Sequence, residues 1–324
     1  MRDEREEMGA VAVRQDGHAE ALALPRYERP VEAAIETPEL NLFEATPYGE
    51  TEALIAASTL SAGSRALLRG LLRLGATKVF PGGGVGIEYG GLLKTAARPE
   101  YTAIHVAEAA AHLNARNVDL LLVPGMSGYP IGAMYSVVSG IPAILLKKSR
   151  LTIDGTMRYP PGSFIIPSYT GDGDVVMSAD LAAVQDIVDT VLTPQLAAQT
   201  NAERPVLTLR AAGADDIIDK ATMSQAVGES AVITGRAAAD TFVRRHRQTT
   251  GDSRPIDIRV EVVAWVTPLI KGYNRPQEHL LRLFGIHPFA GLNLTSLHLQ
   301  PHAIGVEGVG IVAFAAGAGA QSPR

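Results

Sequence analysis

The sequence predicts an α/β fold, a largely parallel sheet flanked by helices, and three observations carry that expectation. The first is residues 118–150, VDLLLVPGMSGYPIGAMYSVVSGIPAILLKKSR. Val118 and the run Leu120, Leu121, Leu122 and Val123, interrupted by Asp119, have the length and aliphatic character of a strand buried on both faces. A tight turn, Pro124-Gly125-Met126-Ser127-Gly128, leads into a helical stretch at 131–139, which Gly140-Ile141-Pro142 ends. A second strand, 143–146, then empties into Lys147-Lys148-Ser149-Arg150, which completes a βαβ unit. The second observation is another strand-like run at 258–266. The third is the set of helical stretches at 101–116, 182–199 and 238–248 that alternate with these strands.

Taken in order, residues 1–50 begin MRDEREEMG, mix charges with scattered prolines and show little period. They predict a partly disordered N-terminal arm, of which residues 27–48 are a candidate to drape over a partner subunit. Residues 51–86 predict a helical N-terminal segment: Leu54, Leu60, Leu67, Leu68, Leu71 and Leu72 give one or two amphipathic helices, broken near Ser61-Ala62-Gly63. No hairpin of strands is legible after them, which argues against a winged DNA-binding unit. FPGGGVG at 80–86 looks like a phosphate cradle but lacks the Lys-Ser or Lys-Thr that follows in a P-loop, so it reads as a flexible turn. His105 and His112 share a face of the 101–116 helix and read as packing. Residues 151–162, with Asp154-Gly155, Tyr159 and Pro160-Pro161, have the polar, proline-containing character of a mobile lid, from which Arg150, Arg158 and Tyr159 would reach phosphates. The 182–199 helix reads as part of an insertion near 180–228. After the 258–266 strand, Lys271-Gly272-Tyr273-Asn274 forms a turn and 277–284 a short helix. His298 and His302 have Pro301 between them, which argues against a shared metal, and no residue is assigned as a metal ligand. Residues 301–324 close the chain with an apolar strand and a small-residue tail.

Composition bounds the function. At 324 residues and 46% hydrophobic content the chain can bury one large core or two modest ones. A net charge of −5 supplies no basic field for non-specific nucleic-acid binding. There is no cysteine, so disulfides, thiolate nucleophiles and cysteine-based metal sites are excluded, and a cytoplasmic location is the expectation. No membrane segment is legible.

Strand, glycine-rich turn and helix N-terminus make an anion site at the carboxyl end of a parallel sheet, and two lysines and an arginine stand at the end of the next strand. Phosphate is the expected guest. The plain alternative is a structural crossover with solvated lysines.

The same stretch resembles type I phosphoribosyltransferases, most of all the branch of xanthine and adenine phosphoribosyltransferases and the purine-operon repressor. FIIPSYTG at 164–171 resembles the strand and turn after that family's flexible loop, and residues 265–297 resemble its last core strand and C-terminal segment. The resemblance covers residues 87–297. It implies a phosphoribosyltransferase-like domain at 87–300, with a hood subdomain built partly from the C-terminal segment. It also implies that Met126, Ser127 and Gly128 hold the pyrophosphate of phosphoribosyl pyrophosphate (PRPP), and that Lys147 and Lys148 offset the charge growing on it. Lys271 matches a lysine that contacts the acceptor.

The family's strand with two acids, followed by a Thr/Gly turn and a helix, has no clean copy. One candidate is Ala214-Asp215-Asp216-Ile217-Ile218-Asp219-Lys220-Ala221-Thr222, which keeps the acids but carries Lys220 and Ala221 where small residues and glycine are expected. Another is GESAVITGRA at 228–237, where Glu229 would hold the ribose and Thr234, Gly235, Arg236 and Ala237 the 5′-phosphate. A third arrangement takes the acids from Asp215-Asp216 and the turn from Thr234-Gly235. Distance to the next strand ranks the 228–237 segment first, the mixed arrangement second and the 214–222 segment last. The resemblance thus implies a pentosyl-transferring glycosyltransferase of nucleotide metabolism that uses PRPP and Mg²⁺, works on a small acceptor and forms a homodimer, while the departures from the family's motif point to a specialised, non-salvage acceptor. A catalytically silent protein that senses a nucleotide or PRPP is the rival.

Overall fold

The computed structural model describes residues 24–27, 45–79, 85–94, 98–150, 159–167, 174–300 and 302–315. The N-terminal segment folds as α1 (Thr51–Ala57) and α2 (Ala62–Leu74), broken where the sequence predicts, with the Ser61 hydroxyl capping α2 by accepting from the Ser64 amide at 3.0 Å. A hairpin follows where none was expected: β1 (Ala76–Val79) pairs antiparallel with β2 (Val85–Glu88). Four-residue strands are too short to display an alternation in sequence. The hairpin is not a free wing. Thr77 is buried and its hydroxyl donates to the His298 carbonyl at 2.7 Å, which fixes β1 against the C-terminal strands. The glycine run at 80–84 lies outside the described residues.

The βαβ unit is present as expected. After α3 (Gly90–Leu93) and α4 (Ala103–Ala115) come β3 (Leu120–Val123), α5 (Tyr129–Ser139) and β4 (Ala143–Leu145), with Gly140 at φ 74° ending α5. The chain then leaves this sheet. Lys147 and Lys148 do not extend β4 but open β5 (Lys147–Arg150), which with β6 (Phe164–Pro167) and β7 (Asp174–Ser178) forms a separate antiparallel sheet in the order β5-β7-β6.

The remaining elements are α6 (Leu181–Ala197), β8 (Val206–Ala214), β9 (Ile217–Ile218), α7 (Thr222–Thr250), β10 (Asp257–Ile270), α8 (Pro276–Phe284), β11 (Phe289–Leu299), β12 (His302–Val306) and β13 (Gly310–Ala313). The main sheet runs β13-β12-β11-β10-β8-β3-β4, with β9 also pairing with β10. Strands β4, β3, β8, β10 and β11 are mutually parallel, and β12 and β13 continue antiparallel.

Both faces of the parallel part are covered, and the strands show it residue by residue. Leu121 and Val123 pack with Val106, Leu113, Ile131 and Tyr135 of α4 and α5, whereas Leu120 and Leu122 pack with α6 and α7. The stretch expected to be an insertion is part of this second layer, because Val184, Val188, Leu192 and Leu196 of α6 are buried in the same cluster as β8 and α7. A separate cluster joins the two ends of the chain. Ile55, Leu67, Leu68, Leu71 and Leu72 pack with Leu292, Leu294, Ile304 and Val312, so the hood is built from the N-terminal helices as well as from the C-terminal strands.

Packing is close where β8 meets β10. A Cβ on Gly213 would fall 2.1 Å from the Trp265 ring, which is fully buried. Gly213→Ala is expected to lower stability by about 1–3 kcal/mol through overpacking, read as an earlier midpoint in denaturant unfolding.

Candidate functional site

The site forms at the carboxyl edge of the sheet because β3 and β8 are neighbours. Leu122 pairs with Gly213, so the turn after Val123 and the acids after Ala214 emerge side by side. Contact there is direct. A Cβ on Gly128 would lie 2.8 Å from Asp215 Oδ1 and 3.2 Å from the Pro124 carbonyl, so only glycine lets the turn sit on the carboxylate. Gly128 also precedes the first turn of α5, whose unpaired amides face outward from this edge. Met126 is 72% exposed at the crest of the turn, and Ser127 donates its amide to the Gly125 carbonyl at 2.9 Å.

Asp215 and Asp216 are both buried. Burial, and then the neighbouring Asp216 carboxylate, push Asp215 well above the usual carboxylate range. The Asp216 amide donates to Asp215 Oδ1 at 2.8 Å, and the Tyr89 hydroxyl, arriving from the end of the hairpin, donates to Asp216 Oδ2 at 3.0 Å. From beneath, the fully buried Tyr135 of α5 is raised by burial and by both carboxylates. Its hydroxyl meets His105 Nε2 at 2.8 Å, and burial holds His105 down to about 4. His105 and His112 both pack against the Phe289 ring, in keeping with the expectation that they are packing residues.

The two lysines part company. A Cβ on Gly125 would sit 3.6 Å from the Lys148 Cβ, so Lys148 stands beside the turn. Lys147 points to the other face of β5 and donates to Asp180, the N-cap of α6, at 2.8 Å. Tyr159 is half-buried. The Arg150 side chain and residues 151–158, which include Arg158 of the expected lid, lie outside the described residues.

After the acids, β9 and the loop Asp219-Lys220-Ala221 lead straight into α7. This is the segment the sequence ranked last, and it leaves the sheet at the same carboxyl edge as the turn after β3. Ala221 takes φ 62°, a left-handed conformation that glycine adopts without cost and alanine does not. Lys271 is not free for an acceptor: its ammonium donates to Asp219 Oδ2 at 2.7 Å, and Asn274 Nδ2 donates to Asp219 Oδ1 at 2.5 Å.

The segment ranked first is placed differently. Residues 228–237 are neither a turn nor a helix start but the middle of the 29-residue α7. At 1.5 Å per residue, Glu229 lies about 10 Å and Thr234 about 18 Å below the first residue of that helix. Glu229 accepts from the Tyr27 hydroxyl and from Gln225 Nε2, the latter at 2.9 Å. Thr234 donates to the Pro161 carbonyl at 3.0 Å. Gly235 lies against the Leu209 and Val260 side chains, and Ala237 is half-buried on the helix. Arg236 donates to the Ile258 carbonyl at 2.8 Å, near the amino end of β10 and so at the opposite edge of the sheet. These small residues form a packing face, which also overturns the mixed arrangement. The signal was present: Gly228, Ala231, Gly235, Ala238 and Phe242 recur at spacings of three and four, a helical period.

Sequence reasoning missed Asp219, Asn274 and Tyr89. The third acid of the DDIID string was a legible signal for Asp219, but nothing in the sequence marks Tyr89. Among the described residues no three acidic or histidine side chains gather into a metal cage. The donor set still suits Mg²⁺, a hard cation that takes one or two carboxylates when phosphate oxygens supply the rest.

The turn after β3 and the acid pair after β8 leave adjacent strands at the carboxyl edge of a parallel sheet flanked by helices. The architecture is an α/β fold with a largely parallel sheet flanked by helices, as the sequence predicts. No family model and no curated protein matches the chain. Among solved structures it is similar to the adenine phosphoribosyltransferase of Rhodothermus marinus, at 13% identity and a TM-score of 0.41 over 71% of this chain and 98% of that one. It is similar to the Thermoanaerobacter pseudethanolicus enzyme at 12% identity and a TM-score of 0.39, over 67% of this chain and 94% of that one. For the Trypanosoma brucei enzyme in complex with AMP, pyrophosphate and ribose-5-phosphate, the values are 10%, 0.37, 69% and 77%.

Two outcomes follow for α7. Ala221→Gly is expected to raise stability by up to about 1 kcal/mol by relieving the left-handed strain, measured as a higher thermal midpoint. Thr234→Val is expected to cost about 1 kcal/mol while leaving inorganic pyrophosphate affinity unchanged in calorimetry, since its hydroxyl serves the Pro161 carbonyl and no ligand.

Proposed function

We propose that the chain transfers a 5-phosphoribosyl group from PRPP to a small acceptor and releases pyrophosphate. The observation that carries this reading is the contact of Gly128 with Asp215, which brings an anion-binding turn and a hydroxyl-binding carboxylate pair within one ligand's reach. Met126 and Gly128 hold the pyrophosphate through backbone amides and Ser127 through its hydroxyl, with Lys148 beside them. Asp215 and Asp216 hold the ribose hydroxyls, and the amides of the first turn of α7, from Thr222 onward, hold the 5′-phosphate. These positions replace the roles first given to Glu229, Thr234, Gly235, Arg236 and Ala237. Lys147 stands outside the site. Mg²⁺ supplies charge neutralisation on the pyrophosphate when bound.

In the reaction the bond from the anomeric carbon to the pyrophosphate oxygen breaks and a bond to the acceptor nucleophile forms, with the acceptor's proton passing to solvent. Positive charge develops on the ribose ring and negative charge on the leaving group. Lys148 and the turn amides stabilise the latter, and no protein nucleophile is required. The ion pair with Asp219 keeps Lys271 engaged, so acceptor recognition does not rest on that lysine. Two copies of the chain in a homodimer and a cytoplasmic setting complete the proposal. Among the described residues no helix is long and apolar enough to cross a membrane.

One observation favours the rival. Lys220 and Ala221 occupy a loop whose backbone still turns as glycine would, which suits a protein that has kept the ligand and lost turnover.

Calorimetry with PRPP, with and without Mg²⁺, followed by a pyrophosphate-release assay over a panel of nitrogen heterocycles, separates the two. Binding with release supports transfer, binding without release supports sensing, and no binding sinks both. Lys148→Ala is expected to weaken pyrophosphate binding about fivefold or more, and Lys147→Ala less than about twofold.

A further inference from the structure

Asp216 is 2% exposed and Asp215 7%, so in this conformation neither carboxylate is open to a sugar. Asp216 Oδ2 instead accepts from the Tyr89 hydroxyl at 3.0 Å. Tyr89 belongs to neither the turn nor the sheet edge. It stands between β2 and α3, with the Lys94 ammonium 5.3 Å from the centre of its ring, and is delivered by the hairpin that docks on the hood.

A pair of buried carboxylates without donors is costly, and an aliphatic or phenolic hydroxyl satisfies one equally well in geometry. A ribose hydroxyl and the Tyr89 hydroxyl therefore compete for one group on this protein. We propose that Tyr89 stands in for the sugar, occupying in the free protein the Asp216 oxygen that a ribose hydroxyl takes on binding, and that it rotates away when a ribose phosphate enters. This rests on the phosphoribosyl reading above. The consequence is a built-in discount on affinity for any ligand that carries the ribose. One O–H···O contact is exchanged for another, so the sugar gains less from Asp216 than it would from an unoccupied acid.

The sign of the effect sets this apart from a supporting role. Removing the hydroxyl leaves Asp216 short of a donor in the free protein only, because in the complex the ribose supplies it. Tyr89→Phe is therefore expected to bind ribose 5-phosphate and PRPP roughly fivefold more tightly in calorimetry, with inorganic pyrophosphate unchanged and the thermal midpoint of the free protein lowered. Tyrosine ultraviolet difference spectra provide a second measurement on the unaltered chain. Ribose 5-phosphate should produce a signal that pyrophosphate does not, and the signal should be missing in Tyr89→Phe. Unchanged or weaker binding of ribose ligands by Tyr89→Phe, or no tyrosine signal when the unaltered chain binds ribose 5-phosphate, overturns the stand-in while leaving the phosphoribosyl reading in place. If the unaltered chain binds neither ribose 5-phosphate nor PRPP, that reading falls and the stand-in falls with it.

Discussion

The contact between Gly128 and Asp215 is the constraint on which the site depends. A side chain at Gly128 would collide with the Asp215 carboxylate and press on the Pro124 carbonyl, a backbone atom with little freedom to move away. The contact exists only because β3 lies next to β8 in register, so that residues more than eighty positions apart leave the sheet at the same level. That adjacency in turn requires helices on both faces. Leu120 to Val123 are buried without exception, and each must find a partner in α4 and α5 or in α6 and α7. The layered architecture is thus what allows the turn to rest on the acid.

Placing two carboxylates under that turn creates an electrostatic problem that the surrounding residues are arranged to limit. The pair is desolvated, and Asp215 is raised by burial and by its neighbour. Backbone and side-chain donors answer this in part: the Asp216 amide reaches Asp215 and Tyr89 reaches Asp216. The third acid of the string is treated differently. Asp219 is half-buried and carries a full counter-charge in Lys271, with Asn274 on its other oxygen. The loop therefore separates into a buried pair short of positive charge and a satisfied ion pair beside it.

The sequence was most informative where a single physical requirement governed each residue. Burial on both faces left the continuous apolar run of β3, and the turn and helix after it followed from glycine, proline and period. It was least informative where one composition serves two purposes. A run of small residues with Thr-Gly describes a phosphate turn, and it equally describes a helix face that must approach a sheet and a second helix closely. Residues 228–237 are the second kind, as Gly228 against the Phe284 ring and Gly235 against Val260 show. The lysine pair hid a different distinction. Adjacent residues on a strand point to opposite faces, so Lys147 and Lys148 could not both serve one turn, but this becomes decisive only once they are known to begin a strand of a separate sheet. The hairpin and its Tyr89 were not legible at all, since their position depends on pairing with residues near the other end of the chain.

Ala221 shows how far a loop can change its residues while keeping its path. An L-residue at φ 62° is disfavoured, and it is held there because β9 is paired to β10 on one side and α7 begins on the other. The Lys271 amide donating to the Ile218 carbonyl at 2.9 Å, together with the Asp219–Lys271 ion pair, ties the loop to the end of β10 at two further points. With the backbone fixed by its neighbours, substitution at 219–221 alters charge and hydrogen bonding at the mouth of the site without moving the helix N-terminus behind it. The departure of this loop from the expected motif is therefore a change in its side chains more than in how it is built.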